Sequence, residues 1–590
     1  MSNENRFGYR KCESGFAFRV WAPNADSVSV VGEFNGWDLK QNEMMRDDHG
    51  CWFAKVSEAQ FGQEYRYELC YGGNTFTRVD PYARSVTNSV GNGILADLQF
   101  DWGNDSYKLP PRNETVIYEM HIGTFNVKES GRPSTFDEAI ERLDHLVSLG
   151  INVVEVMPCA EFAGDLSWGY NPANIFAIEK AYGGPLSFKR FIKACHDRGI
   201  GVIFDVVYNH FGPGDLSLWQ FDGWSENDKG GIYFYNDWRS STPWGDTRPD
   251  YGRKEVRQFI IDNAHYWLDE FRLDGLRLDM TLYIRHVTGN GDPGAELTDG
   301  WSLTQQINNM VHRQFPGKIT IAEDLQDNDW LTKPTSEGGA GFDLQWDARF
   351  VHPIRRLVCS PNDEDRSPSI VVAAATSAYN GDSFQRVIYS ESHDEVANGK
   401  ARVPTEIDAS NPDGWYAKKR STLAAAITLT SPGVPMLFQG QEMLEDEWFR
   451  DTDPVDWSKA TIFAGVLRMY HDLIQLRLNK TNTTKGLTGS GFAVCFERFE
   501  DKLLAFHRWH NGGSGDDVLV LMNLGTDAKA SVPIPMPKAG DWTLKFNSDW
   551  KGYSSDFGDF SSDWSVKCHA PGELAAIDMA PYSVQVLVLN

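Results

Sequence analysis

The stretch "FRLDGLRLDM", residues 271–280, sets Arg277 and Asp279 two positions apart in an otherwise apolar run. In an extended segment residues i and i+2 point to one face, so this guanidinium and this carboxylate share an environment. A buried ion pair seldom adds much net stability. A carboxylate held ionised by a neighbouring cation is, by contrast, a ready nucleophile. Three further apolar runs end in groups of the same kind. "GVIFDVVYNH" carries Asp205, Asn209 and His210, "ITIAED" closes on Glu323 and Asp324, and "RVIYSESHD" closes on His393 and Asp394. One carboxylate at an element end reads as a helix cap or loop anchor, but structure alone has no need of them at four ends. Two carboxyl groups flanking a bond, one ionised and one protonated, suit cleavage of a glycosidic bond with retention. Asp279, beside Arg277, is expected to have a lowered pKa and to act as nucleophile. Glu323, approached through the apolar "ITIA", suits the protonated acid/base, and Asp394 is a third carboxylate for sugar hydroxyls and a distorted transition state.

Such groups need a frame that brings them to one place. Eight short apolar runs occur, at 116–125, 151–158, 201–210, 273–280, 319–324, 342–347, 386–394 and 433–442. Helical patterns lie between them. In "TFDEAIERLDHLVSLG" Thr135 and Glu138 make a capping box, Phe136, Ile140, Leu143 and Val147 an apolar stripe, and Gly150 a stop. "LSFKRFIKACHDRG" and "EVRQFIIDNAHYWLDEF" repeat the arrangement. Eight strands rich in Val, Ile and Leu with intervening helices predict an α/β fold, a parallel (β/α)8 TIM barrel with its site at the C-terminal strand ends. An open doubly wound sheet would more often carry a glycine-rich phosphate loop after its first strand, and "HIGTFN" is not one.

Before the barrel, "FAFRVWAP", "SVSVVGEF", "CWFAKV" and "YRYELCYGG" alternate as strands between turn signals. After it, "FAVCFERF", "KLLAFHRW", "DVLVLMNLG", "WTLKF" and "SVQVLVLN" do the same. The expected domains are therefore an N-terminal β-sandwich over 1–108, the barrel over 109–484 and a C-terminal β-sandwich over 485–590. The chain has 590 residues and a formal net charge of −26, which repels nucleic acid and anionic membrane surfaces and favours a neutral partner. Its 20 tryptophans suit a neutral polyhydroxylated ligand, although large cores also consume tryptophan. No apolar run is long enough to cross a membrane. "MSNENRFGYR" lacks a secretory pattern, so the expected location is cytoplasmic. The eight cysteines form no CxxC pair and read as reduced, mostly buried thiols. Oligomeric state is not legible.

"DVVYNH", "GLRLD", "IAED" and "ESHD", in this order, resemble the four signature regions of the α-amylase superfamily, glycoside hydrolase family 13. "WGYNP", 168–172, is similar to the family segment whose tyrosine, here Tyr170, stacks on the sugar at the cleavage point. The resemblance implies Asp279 as nucleophile, Glu323 as acid/base, Asp394 as transition-state stabiliser, and Tyr170, Asp205, His210, Arg277 and His393 as substrate-binding residues. "FRVWAPNADSVSVVGEFNGWD" resembles the carbohydrate-binding module family 48 sandwich of branching enzymes, isoamylases and trehalohydrolases, and "PYSVQVLVLN" the family's closing C-terminal strand. In that N-terminal module Trp37 and Trp52 are either glucan platforms or packing residues. "GEFNGWD" and "YSESHDE" look like 1,4-α-glucan branching enzymes, which implies an α-1,4-glucan or malto-oligosaccharide substrate. Those enzymes commonly have Gln where Glu395 stands. "DVVYNHFGPGD", "STPWGD" and "DGLRLD" look like malto-oligosyltrehalose trehalohydrolases, and an α-amylase-type hydrolase shares the same intermediate. An inactive glucan-binding protein would lack a carboxylate, and all three are present. No cofactor is implied as required; many relatives hold Ca2+, for which no ligand set is assignable here.

Overall fold

The computed structural model describes residues 6–560 and 563–590. Eight parallel strands close a barrel: β1 (Ile117–Met120), β2 (Val153–Val156), β3 (Gly201–Val206), β4 (Gly275–Leu278), β5 (Ile319–Ala322), β6 (Leu344–Trp346), β7 (Arg386–Ile388) and β8 (Val434–Phe438). Each neighbours the next in sequence, and β8 pairs back onto β1. All eight apolar runs singled out in the sequence carry a barrel strand.

The interior changes character within one pleat. Ile117, Val153, Ile203, Ile321 and Leu344 form an apolar layer with Val387, Val434 and Met436. Two residues further on, hence on the same face and about 7 Å higher, stand Glu119, Glu155, Asp205, Glu323 and Trp346, all buried. In β4 the corresponding pair is Gly275 and Arg277. A Cβ at Gly275 would lie 2.6 Å from the Ile319 carbonyl oxygen, so only glycine allows this close approach of β4 to β5. The lower layer seals the barrel and the upper layer faces the site.

The helices follow their sequence signals with one difference. Thr135 Oγ1 accepts from the Glu138 N–H at 3.2 Å, while Glu138 Oε2 accepts from the Thr135 N–H at 2.8 Å, which completes the expected capping box. The expected single helix is two, Phe136–Ile140 and Leu143–Leu149, separated by a turn at Glu141 and Arg142, whose Nε donates to Asn126 Oδ1 and whose guanidinium lies over the Trp457 ring. This break rotates the stripe. Leu146 and Leu149 are buried beside Leu143, and Val147, expected inside, is 44% exposed. Gly150 ends the segment in the left-handed conformation at φ 98°, as a C-terminal stop requires.

Two four-stranded antiparallel sheets form the N-terminal unit. It seats on the loop after β3, where the Asn24 amide and backbone N–H both donate to Asp222 at 2.9 Å and Trp21 meets Tyr233 edge-on. Trp52 is buried and its indole N–H donates to the Ala22 carbonyl, so it packs the sandwich, whereas Trp37 is exposed. The C-terminal unit is a six-stranded sheet facing a two-stranded one. Three of its strands, Lys529–Pro535, Ser565–Cys568 and Leu574–Met579, were not evident in the sequence pattern: Pro, Lys and Ser interrupt the first two, and the third is short with paired alanines and Asp578. Its junction with the barrel contains the buried pair Lys419 Nζ–Asp549 Oδ1 at 2.8 Å. The eight cysteines are free thiols, and Cys51, Cys159, Cys195, Cys359 and Cys568 are buried. No helix among the described residues is long and apolar enough to cross a membrane.

Removing one partner of a buried ion pair strands the other charge in a dry interface at a cost of about 3–5 kcal/mol. Lys419→Met is therefore expected to lower the melting temperature by several degrees, and Asp549→Asn added to it to recover part of the loss. Equal melting curves for wild type and Lys419→Met would show that water reaches Asp549.

Candidate active site

Asp279 and Glu323 are the first residues beyond β4 and β5, so both side chains sit at the C-terminal rim. Arg277, completely buried, reaches up between them. Its Nη1 donates to Asp205 Oδ2 at 2.6 Å and to Asp279 Oδ1 at 2.9 Å, and its Nη2 lies 3.7 Å from Glu323 Oε2. One guanidinium thus serves carboxylates from β3, β4 and β5. The Trp346 ring, 4.5 Å from the guanidinium carbon, and the Tyr170 ring, 5.7 Å away, fix it from the sides.

Each carboxylate has a different set of partners. Asp279 Oδ2 accepts from the Asn209 amide at 2.7 Å, and the same amide reaches the Asp279 carbonyl at 3.0 Å. Glu323 Oε2 accepts from the Met280 backbone N–H at 2.6 Å, while its Oε1 has no hydrogen-bond partner. That N–H is aimed by an unusual backbone: Met280 is in the left-handed region at φ 37°, ψ 56°, a conformation that costs a non-glycine residue about 1–2 kcal/mol. Asp205 Oδ2 accepts also from the Tyr170 hydroxyl at 2.6 Å. Asp394 is the most exposed of the group, its side chain 42% open and its Oδ1 3.5 Å from His393 Nε2. Asp324, expected among the rim carboxylates, turns away and forms a two-pronged pair with Arg285 at 2.8 Å.

The two imidazoles differ. Glu119 Oε1 pairs with His393 Nδ1 at 2.5 Å and Glu119 Oε2 accepts from the His393 backbone N–H at 3.1 Å. Burial alone would lower the His393 pKa, but Asp394 and Glu119 outweigh it and push it up to about 9. His210, whose Nδ1 meets Asn209 Oδ1 at 2.5 Å, lies under the Trp244 ring at 4.5 Å, and burial lowers its pKa to about 4. Tyr170 stacks on His393 with ring centres 5.0 Å apart. Its loop is fixed from below: the Ser167 carbonyl accepts from the Tyr182 hydroxyl and pairs with His121 Nε2, and the Ser167 hydroxyl meets Asn171 at 2.5 Å.

One expectation fails here. Asp279 was expected to have a lowered pKa, but burial outweighs the attraction of Arg277 and pushes its carboxyl up to about 7. Burial pushes Glu323 further, to about 8. Burial is the main cause, and Asp205, which shares Arg277 with Asp279, adds a repulsion that offsets part of the attraction. Both carboxyl groups are raised, and they titrate as a coupled pair. Asn209 stands at the end of its run without a predicted role, and Glu119 is not among the candidate site residues, though it stands in the apolar run of β1, where a lone charged residue is itself a signal. Among the described residues no group of three or more His, Cys, Asp or Glu side chains is placed to hold a metal ion.

Three family models match the chain: carbohydrate-binding module 48 (isoamylase N-terminal domain) over residues 6–83, the alpha amylase catalytic domain over 82–235 and 216–464, and the alpha amylase C-terminal all-beta domain over 496–590. A 1,4-alpha-glucan branching enzyme GlgB from Corynebacterium jeikeium is 31% identical over 92% of this chain and 77% of its own length. Another from Dechloromonas aromatica is 29% identical over 98% of this chain and 95% of its own. Among solved structures, a pullulanase from Anoxybacillus sp. LM18-11 complexed with maltotetraose superposes with a TM-score of 0.77 at 22% identity, covering 99% of this chain and 88% of that one.

The raised pKa values have a consequence for stability. A folded-state pKa above that of the unfolded chain means that the folded state binds the extra proton, so its stability is greatest below the unfolded value near 4 and declines as pH rises through about 7–8. Glu323→Gln removes one of these protons. Its melting temperature relative to wild type is expected to increase between pH 5 and about pH 8 and to level off above that; a difference independent of pH would show that Glu323 ionises freely in the folded protein.

Proposed function

The chain belongs to the α-amylase family, glycoside hydrolase family 13, and we propose that it is a 1,4-α-glucan branching enzyme, which cleaves an α-1,4 chain and passes it to a 6-hydroxyl. The observation that carries this reading is the match to branching enzymes across 92% and 98% of the chain, N-terminal module included, around an intact three-carboxylate rim.

The geometry supports a double displacement. Asp279 Oδ1 is oriented by Arg277 and Oδ2 by Asn209, so the carboxylate is fixed for attack on the anomeric carbon, forming a glycosyl ester as the glycosidic bond breaks. Glu323, its carboxyl pKa raised by burial, gives its proton to the departing oxygen. It then recovers a proton from the 6-hydroxyl of an acceptor, whose oxygen displaces Asp279 and completes the new bond. Asp394, paired with His393, faces the ring hydroxyls and stabilises the oxocarbenium-like transition state. Tyr170 supplies the flat surface under the sugar, and Asp205, His210, Arg277 and His393 surround it. This chemistry requires Asp279 ionised and Glu323 protonated.

A hydrolytic variant of the same mechanism differs only in that water takes the place of the acceptor hydroxyl. Incubation with amylose separates the two. Branching is expected to lower iodine staining with few new reducing ends and to create short chains releasable by a debranching enzyme; reducing ends rising in step with the loss of colour would replace this reading with hydrolysis. Asp279→Asn and Glu323→Gln are each expected to lower turnover by about 10²- to 10⁴-fold or more with the fold retained. The pH dependence of kcat/KM is expected to be a narrow bell whose two limbs belong to the coupled Asp279–Glu323 pair and lie above the ordinary carboxylate range, because burial raises both groups.

A further inference from the structure

A second concave site opens on the same rim. Trp301, Trp330, Arg285, Glu296, Asn328 and Gly338 line a cavity of about 350 Å³, within the range of about 300–1,000 Å³ usual for small-ligand pockets. Trp330 is 50% exposed, in a loop where burial cannot account for it. Its position is nevertheless fixed: its N–H donates to Asn328 Oδ1, its carbonyl accepts from the Ala340 N–H at 2.8 Å, and the Lys333 ammonium stands 4.3 Å from its ring centre. Trp301 is anchored through its indole N–H to the Gly338 carbonyl at 3.2 Å. Two held indole rings with a carboxylate, an amide and a guanidinium between them fit a neutral polyhydroxylated chain.

The cavity is joined to the acid/base strand. Arg285 grips Asp324, the residue after Glu323, with two bonds of 2.8 Å. At the other end of the short helix Thr281–Arg285, the Thr281 hydroxyl donates to the Glu323 carbonyl at 2.9 Å. One wall of the pocket is therefore built from the segment that positions Glu323. Glu323 protonates the leaving oxygen in the first step and takes the incoming hydroxyl's proton in the second, so the acceptor must arrive on its side of the cleaved bond.

We propose that the Trp301–Trp330 pocket is a second α-glucan-binding site, which holds the acceptor chain while its 6-hydroxyl reaches the glycosyl-enzyme. This rests on the transfer reading above. It assigns to Trp330 and Trp301 a part in deciding between a sugar hydroxyl and water, separate from bond cleavage.

The test is Trp330→Ala and Trp330→Phe in the full chain, with amylose as substrate. Branches formed per bond cleaved are expected to fall about 3- to 10-fold in Trp330→Ala, the magnitude of one lost ring contact, with released reducing ends rising correspondingly, and to recover in Trp330→Phe, which keeps a flat ring. An unchanged ratio in Trp330→Ala would overturn the acceptor site. A rise in KM with the ratio of branching to hydrolysis unchanged would also overturn it, by placing the donor chain there. If wild type releases a reducing end for every bond it cleaves, the branching reading itself fails, an outcome read before any variant is compared.

Discussion

Almost every feature of the rim depends on one buried cation. Arg277 touches Asp205 and Asp279 together while facing Glu323, and it is enclosed by the Trp346 and Tyr170 rings. A bare guanidinium at this depth would be costly, and so would three bare carboxylates. Together they are tolerable, which ties the sides of the site into one electrostatic unit. The balance leaves the carboxyl groups under-compensated, and that is the useful part. With one positive charge among three acids, burial wins over attraction at Asp279 and Glu323, so a proton remains available near neutral pH.

The next layer decides which carboxyl keeps that proton. Asp279 receives the Asn209 amide in addition to Arg277, whereas Glu323 receives a single backbone N–H and leaves Oε1 unpartnered. Hydrogen bonds to the charged form favour ionisation, so the surroundings of Asp279 favour its charged form more than those of Glu323 do. The N–H that Glu323 receives exists only because Met280 is bent into the left-handed region, a strain held in place by the barrel strands on both sides. Across the rim Glu119 clamps both the ring and the backbone N–H of His393, so that a charged imidazole faces Asp394. Two chemically identical groups are in this way given opposite tasks by their neighbours.

How much of this is written in the sequence depends on range. The barrel is legible because each strand, buried on both faces, lies in a short run that is mostly apolar, and because the side chains two residues past the apolar layer are charged in β1, β2, β3 and β5. The candidate rim residues are legible for the same reason, since a charge at the end of such a run has nowhere else to be. What fails is anything that depends on who else is present. The pair Arg277–Asp279 predicts a lowered pKa when considered alone, and only the fold reveals that Arg277 is shared. Arg142 carries no sign that the chain will turn there and set its side chain against Trp457 and Asn126, and with it goes the prediction for Val147. An indole in a loop, such as Trp330, looks in sequence like any core tryptophan, and its exposure is visible only in three dimensions.

The same distinction bears on transfer against hydrolysis. The carboxylates that break the bond cannot discriminate water from a sugar hydroxyl, because Glu323 removes a proton from an oxygen in either case. Discrimination must come from the competition between bulk water and a local concentration of acceptor, which is a property of binding surfaces and not of acids and bases. A binding surface beside Glu323 raises the effective concentration of one hydroxyl without altering the barrier for the other. Sequence differences that change product within a common catalytic frame are therefore expected in rim loops such as that carrying Trp330, while the layer built around Arg277 stays fixed for every reaction the frame performs.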